Sequence, residues 1–509
     1  MGTSDNKRIA KNTLMLYFRM LFIMGVTLYT SRVVLNALGV VDFGIYNVVA
    51  GVVTMFTFLN SAMSASSSRF LIFELGKKDY VQLKKVFNAS LSSHIAIAIV
   101  VLIFSETIGL WFLTHKLVIP ENRMVAVHWV YQFSILSAMV SLTRVPFNAA
   151  IIAHEKMNVY AYVSIVEVIL KLVIVYLLVL SGFDKLKIYG ILVFLVSLII
   201  YIIYIIYSMK KFEECSIEFH WDKVLYKKLF SFSIWELYGG FAIMGMGQGV
   251  NILLNLFFGP VVNAARGIAY QVQGAIVGFG GSFITAVKPQ IIKLYAENNL
   301  LQMMKLVFAS SKYSLFLTFF ISLPMLLETG YILEHWLKIV PDYSVSFCRL
   351  VIINNLIWSL RAPIVTSFHA VGQIKTANLI CGSLFYLIVI LSYVCLKIGF
   401  PPESVFIVAI IVSVIIQFVE LILLKRLISY SIRSYVKQVI WLSLLVILIS
   451  TVIPYLFLIS LEPGFLRFII VGFVSVISVS SVIYYIGIDK ETQKLVVQKI
   501  MTVTQKIKK

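Results

Sequence analysis

Apolar residues dominate this chain in long runs, broken at intervals by short clusters of Lys, Arg, Asp, Glu, Asn and Pro. About 20 mostly apolar residues are needed to cross roughly 30 Å of hydrocarbon as a helix. A window of that length finds fourteen spans, at 13–35, 43–64, 88–113, 124–144, 158–181, 188–208, 229–254, 264–286, 311–329, 345–363, 376–397, 403–424, 437–459 and 465–487. The pattern predicts an all-α polytopic membrane protein with about fourteen transmembrane helices. Composition agrees: of 509 residues, 60% are hydrophobic and 13% charged, with mean hydropathy +0.95. Soluble globular proteins carry about 25% charged residues. The start "MGTSDNKRIAKNTLMLYF" has no small-residue cleavage site after its apolar stretch, so it reads as a first membrane helix and not as a removable signal. Its loose likeness to a myristoylation start adds little to a chain already anchored by many helices.

Orientation follows from the basic residues in the connections. With the N-terminus inside, 31 of the 43 Lys and Arg fall in inner segments and 8 in outer loops, while Arg19, Arg32, Lys171 and Arg349 lie within spans. Both termini are therefore expected to be cytoplasmic. The formal charge of +20 reads as topology and contact with anionic lipids, and gives no reason to invoke nucleic acid. Cys215, Cys348, Cys381 and Cys395 have no metal-ligand spacing, and most lie in apolar runs, as buried free thiols do.

Three motifs recur in the same order. "SLTRVPFNAAIIA" (141–153) matches "SLRAPIVTSFHA" (359–370), "LNALGVVDFGIY" (35–46) echoes "LNLFFGPVVNAARGIAY" (254–270), and "QLKKVFNAS" (82–90) echoes "QMMKLVFAS" (302–310). Spans one to six and seven to twelve thus read as duplicates. Six spans per copy make the repeat parallel, with its pseudo-twofold along the membrane normal and the substrate site at the repeat interface. The expected organisation is an N-lobe at 1–208, a cytoplasmic linker at 209–228, a C-lobe at 229–424, two extra helices at 425–487 and a basic amphipathic tail at 488–509. No outer loop exceeds about 17 residues on this count, the longest being 328–344. That leaves no room for the outer domain of a membrane polymerase or acyltransferase, and no selectivity-filter motif points to a channel. An alternating-access carrier, not an enzyme, is expected.

"SRVVLNALGVVDFGIYNVVAG" across the first outer turn, "SSSRFL" (66–71) and the paired Arg-x-Pro-x6-Ala motifs resemble the polysaccharide-transporter branch of the multidrug/oligosaccharidyl-lipid/polysaccharide exporter superfamily, and within it O-antigen flippases of the Wzx type. The resemblance spans essentially the whole chain. It implies two six-helix lobes around a central cationic cavity. It also implies transfer of an undecaprenyl-diphosphate-linked oligosaccharide from the inner to the outer face of a bacterial inner membrane, with no cofactor. Drug extruders of the superfamily and the flippase for the peptidoglycan lipid precursor are the neighbouring readings. Cations within the spans favour an anionic headgroup over a cationic drug.

Arg grips phosphate oxygens bidentately, and amides and aromatic faces suit sugars. On the first span Arg19 and Arg32 lie about 20 Å apart along the helix, and Arg32 shares a face with Tyr29 and Gly25. Cavity lining and snorkelling to headgroups both account for the two arginines. Gln248, Asn251 and Asn255 stack on span seven, and Arg266, Tyr270 and Gln273 on span eight, either as a cavity wall or as helix-to-helix contacts. "GMGQG" (245–249) follows no strand and reads as close helix packing or a bend. Arg69, Arg144 and Arg361 end spans at the inner face, where anchoring is expected.

Glu167 and Lys171 stand four residues apart within one span. Each charge costs roughly 2.5–3.5 kcal/mol at the bilayer centre, so an i,i+4 ion pair is expected, as a packing element or as a coupling device. In the coupling version substrate diphosphate captures Lys171, and Glu167 then binds a proton. Protons or sodium ions could drive such a carrier. Glu236 and Arg19 hold near-equivalent positions in the two halves and are expected to approach as an inner gate. His94, Glu106, His128 and Glu420 read as local hydrogen-bonding groups.

Overall fold

The computed structural model describes residues 3–56, 59–115, 119–218, 221–337, 340–490 and 493. The side chains of Arg32 and Asn255 lie outside what it describes, as does nearly all of the expected tail helix. No strand occurs among the described residues. Helices follow from a solvent that cannot satisfy backbone amides, so each span closes its hydrogen bonds internally.

In chain order the helices are α1 Thr3–Phe56, α2 Leu59–Lys77, α3 Tyr80–His115, α4 Glu121–Ala153, α5 Met157–Leu180, α6 Lys185–Lys211, α7 Lys223–Phe258, α8 Pro260–Ala296, α9 Leu300–Leu327, α10 Ser344–Val371, α11 Lys375–Lys397, α12 Ser404–Leu427, α13 Ile432–Ser460 and α14 Phe465–Gly487. Among the described residues twelve of them, α3 to α14, are long and apolar enough to cross a membrane. The chain is a multi-pass membrane protein. α1 is broken at Gly39, whose φ of +79° needs no Cβ, so its first limb carries the first expected span. The second expected span lies across the end of α1 and the start of α2.

Helices α7 and α8 run well past the expected 229–254 and 264–286. At 37 residues α8 is about 55 Å long, beyond the roughly 30 Å of hydrocarbon. Helical hydrogen bonding continues outside the lipid wherever polar side chains such as the exposed Lys223 can meet water.

Backbone geometry repeats as the motifs do. Left-handed residues at Gly39 and Gly259 lie 220 positions apart, as do Lys78 and Asn298, while Glu155 and Gly372 lie 217 apart. Arg144 and Arg361 share that offset of 217. The turns α2–α3 and α8–α9 are thus built alike, as are α4–α5 and α10–α11.

The chain divides into two compact units. One comprises residues 1–241, 285–300 and 369–379; the other comprises 242–284, 301–368 and 380–509. In the first unit α4 packs on α6 and α1 on α5. Arg123 at the start of α4 donates to Asp42 (2.9 and 2.5 Å) and to Asp184 (2.9 and 3.2 Å), while Asp184 also caps α6 through the Leu186 and Lys187 amides. Partial burial works to raise the Asp184 pKa, but the Arg123 bonds and those two amides outweigh it and hold the carboxyl below its ordinary range. A depressed folded pKa contributes stability above the unfolded value of about 3.9, which is lost as pH falls through the folded value. Asp184→Asn is therefore expected to flatten the acid limb of a thermal-stability profile below about pH 4, read by intrinsic fluorescence. An unchanged acid limb would contradict this.

In the second unit α13 packs on α14, and Arg467 of α14 grips Glu328 bidentately (2.8 and 3.0 Å) beside the short helix Thr329–Leu337. That helix occupies the longest expected outer loop. The buried pair ties the two extra helices to the end of α9. Gly249 of "GMGQG" packs closely: a Cβ there would meet Val389 Cγ2 at 2.8 Å. The packing reading of that motif agrees with this contact.

Candidate functional site

Glu167 and Lys171 meet as the sequence leads one to expect, Nζ to Oε1 at 2.8 Å. A third group joins them. Arg144, where α4 bends just before Pro146, reaches the other carboxylate oxygen of Glu167 at 3.3 Å. Its guanidinium also lies over the buried ring of Tyr204 on α6, 5.5 Å from the centroid. Arg19 of α1 lies 4.5 Å over Tyr160 of α5, and its buried Nε has no hydrogen-bond partner. Further along the same two helices Tyr29 lies beside Tyr176. From Tyr160 to Tyr176 this seam rises about 24 Å along α5. It holds Arg19, Arg144 and Lys171 against the single acid Glu167. The Lys171 side chain is 45% exposed.

This geometry changes the expected proton-coupling step. Capture of Lys171 would not leave Glu167 bare, because Arg144 still holds it. Arg144 is likewise no simple anchor at the inner face. Its repeat partner Arg361 behaves the same way: it bonds Glu420 of α12 at 2.7 and 2.8 Å and lies over Trp358 and Phe385. In each half the Arg of the Arg-x-Pro motif holds an acid on a later helix.

In the second unit Arg266 of α8 donates to Asn251 Oδ1 (3.1 Å) and to the Gly247 carbonyl (2.6 Å), with Tyr270 beneath it at 4.3 Å. Asn263 also donates to Asn251 Oδ1, at 2.8 Å. Of the expected wall, Arg266, Asn251 and Tyr270 come together. Gln248 is exposed, and Gln273 lines a small cavity of about 30 Å³ beside Tyr270. Arg266 is tied into α7, so it joins two helices and is not a free clamp.

Within the first unit, side chains from one half hold turns of the other. Glu155, in the left-handed turn between α4 and α5, accepts from Gln290 (2.6 Å) and Lys293 (2.9 Å) of α8, and its carbonyl accepts from Asn12 of α1 (3.5 Å). At the matching turn between α10 and α11, Arg69 of α2 donates to the carbonyls of His369 (2.9 Å) and Ala370 (3.3 Å). Gly372 has φ +81°, a conformation L side chains rarely adopt, and a Cβ there would displace the Arg69 guanidinium, so glycine favours both the turn and the contact. The two contacts are related by the repeat: α8 holds turn 4–5 and α2 holds turn 10–11.

The expected approach of Arg19 to Glu236 is not what the structure contains. Glu236 bonds His369 Nε2 at 2.8 Å, whereas Arg19 stacks on Tyr160. On the 220-residue offset Glu236 corresponds to Leu16, one helical turn from Arg19, and each side chain finds a nearer partner on its own side of the repeat.

The family described as "Polysaccharide biosynthesis protein" matches residues 9–295, more than half of the chain. The chain belongs to this polysaccharide biosynthesis family. Among solved structures it resembles MATE in the bent conformation, with a TM-score of 0.68 and 12% identity over 83% of this chain and 97% of that one. It also resembles an outward-facing multidrug resistance MATE family transporter of the MOP superfamily, with a TM-score of 0.67 and 13% identity over 81% and 94%. A third match, a MOP superfamily transporter from Pyrococcus furiosus, has a TM-score of 0.64 and 12% identity over 81% and 94%. At such identities these likenesses establish the fold. No curated protein matches the chain. Family and fold together make this a polysaccharide biosynthesis protein with the fold of MATE and MOP superfamily transporters.

Arg144, Arg69 and Glu155 are the residues that sequence reasoning underrated. For Arg144 and Arg361 a signal was present in their shared motif. No local signal marks Glu155, whose partners lie 135 and 138 positions away.

Proposed function

We propose that this family member is a flippase that carries a polyprenyl-diphosphate-linked oligosaccharide from the inner to the outer face of the bacterial inner membrane, by alternating access of its two halves. The observation that carries this reading is the seam of Arg19, Arg144 and Lys171 around one carboxylate. An excess of cations at membrane depth needs a counter-charge, and a diphosphate supplies it. Arg144 offers a planar fork and Lys171 a mobile point charge, while Tyr160, Tyr204 and Tyr176 provide faces for apolar and sugar surfaces. Substrate oxygens would replace Glu167 on Lys171, with Arg144 keeping the acid neutralised. The paired holds on turns 4–5 and 10–11 then serve as the inner latch, which must open to admit substrate from the cytoplasm. Anionic lipids would contact the basic inner connections.

Arg144→Gln and Lys171→Gln test the reading in proteoliposomes containing lipid-linked glycans extracted from the host. Outward appearance of glycan, scored with an impermeant oxidant, is expected to fall at least tenfold for Arg144→Gln and less for Lys171→Gln. Transport at the wild-type rate in both variants would exclude the seam as the diphosphate path.

A further inference from the structure

The first unit contains a cavity of about 300 Å³ that none of the groups above explains. It lies among the second limb of α1, α2, α4 and α6, and among the described residues nothing charged lines it. Ser134, Ser137 and Ser141 enter from one face of α4, with Tyr46 of α1 and Asn60 of α2 contributing as well. Asn60 Oδ1 is buried and accepts no hydrogen bond among the described residues. An unmet buried acceptor calls for a donor. Ser137 gives its proton to the Phe133 carbonyl at 2.7 Å and keeps its oxygen lone pairs for the cavity. Along α4 the serine face runs on, three residues past Ser141, to Arg144.

The repeat makes this cavity more specific. On the offsets of 220 and 217, Ala50 corresponds to Tyr270, Ser134 to Val351 and Ser137 to Asn354. All three second-half residues line the small cavity of about 30 Å³. Both halves thus carry the same pocket. In the second half larger side chains fill it; in the first half small ones leave it open and hydroxylated. Its volume stands at the lower end of small-molecule sites, which range over roughly 300–1,000 Å³. That suits one sugar ring and not a whole repeat unit.

We propose that this first-half cavity is a recognition subsite for a single uncharged sugar residue of the lipid-linked glycan. Sugar hydroxyls donate to Asn60 Oδ1 and the serine oxygens while the diphosphate engages Arg144. The subsite rests on the flippase reading. It adds that sugar specificity is set in the first half, by Ala50, Ser134, Ser137 and Asn60, apart from the cationic seam.

The test copies the second half into the first. Wild type, Ala50→Tyr, Ser134→Val and Arg144→Gln are placed in lipid nanodiscs and titrated, by native mass spectrometry, with undecaprenyl diphosphate and with lipid-linked glycans extracted from host cells. Wild type is expected to prefer the glycan-bearing lipid at least tenfold. Ala50→Tyr should abolish that preference and leave binding of bare undecaprenyl diphosphate within twofold, which also shows that the variant is folded. Ser134→Val, a smaller change, should lower the preference by several-fold, and Arg144→Gln should weaken both lipids. If wild type and both cavity variants keep the same glycan preference, or if wild type binds both lipids alike, the subsite is wrong and the flippase reading stands. If wild type binds neither lipid, the flippase reading falls and takes the subsite with it.

Discussion

Arg361→Ala is expected to destabilise the protein by about 3–5 kcal/mol, the usual consequence of removing one partner from a buried ion pair. Glu420 is the reason. Its side chain is only 2% exposed, both Arg361 bonds converge on Oε1, and Oε2 has no hydrogen-bond partner. Without the guanidinium the carboxylate is left ionised in an apolar bundle, or takes up a proton to avoid that state. The aromatic faces of Trp358 and Phe385, now over the guanidinium, would enclose a void. Arg361→Ala with Glu420→Gln should recover much of the loss, because an amide carries no charge into the gap. Thermal unfolding of purified protein in detergent reads both variants. Equal melting temperatures for wild type and Arg361→Ala would show that the pair contributes nothing.

Glu155→Ala should open the inner latch. Replacement orphans Gln290, which is buried, and Lys293, whose side chain is 19% exposed. Each stranded donor costs about 1–3 kcal/mol, so the two together favour the unlatched arrangement by at least roughly thirtyfold. Glu155 also holds a left-handed backbone, φ +57°, at a cost of about 1–2 kcal/mol. The matching turn relieves that strain with Gly372. A strained glutamate persists where its side-chain bonds outweigh the strain. Spin labels at the exposed positions Lys77 and Glu297 should give one short distance in wild type and a population at longer distance in Glu155→Ala. Identical distributions would remove the latch.

Much of the architecture was legible because lipid imposes it. Long apolar runs have one conformational solution, and the third to fourteenth expected spans each fall on a helix. The repeat was legible in three loose echoes, and the left-handed residues at matching turns give it a physical basis. Pairing across the sequence was not legible. Glu167 and Lys171 could be matched because i,i+4 neighbours share a helix face; Arg144 could not, since it reaches Glu167 from another helix, 23 positions away. Arg69 looked like an anchor because sequence shows where a cation sits in a span but not the carbonyls 300 residues away that it meets. The Arg19–Glu236 gate failed for a related reason: equivalence in a repeat predicts similar surroundings, not mutual contact. The open first-half pocket was hidden because serine and alanine on a membrane helix read as packing residues until their larger counterparts are set beside them.

Direction and substrate are tested together by depleting the protein from its host. Polyprenyl-diphosphate glycans are then analysed by mass spectrometry, with an impermeant reagent scoring which face they occupy. A flippase for these lipids requires completed repeat units to accumulate on the cytoplasmic face, and requires that accumulation to persist when Arg144→Gln is the only copy supplied. Unchanged lipid-linked glycans, normally exposed at the outer face, would contradict the account at its centre.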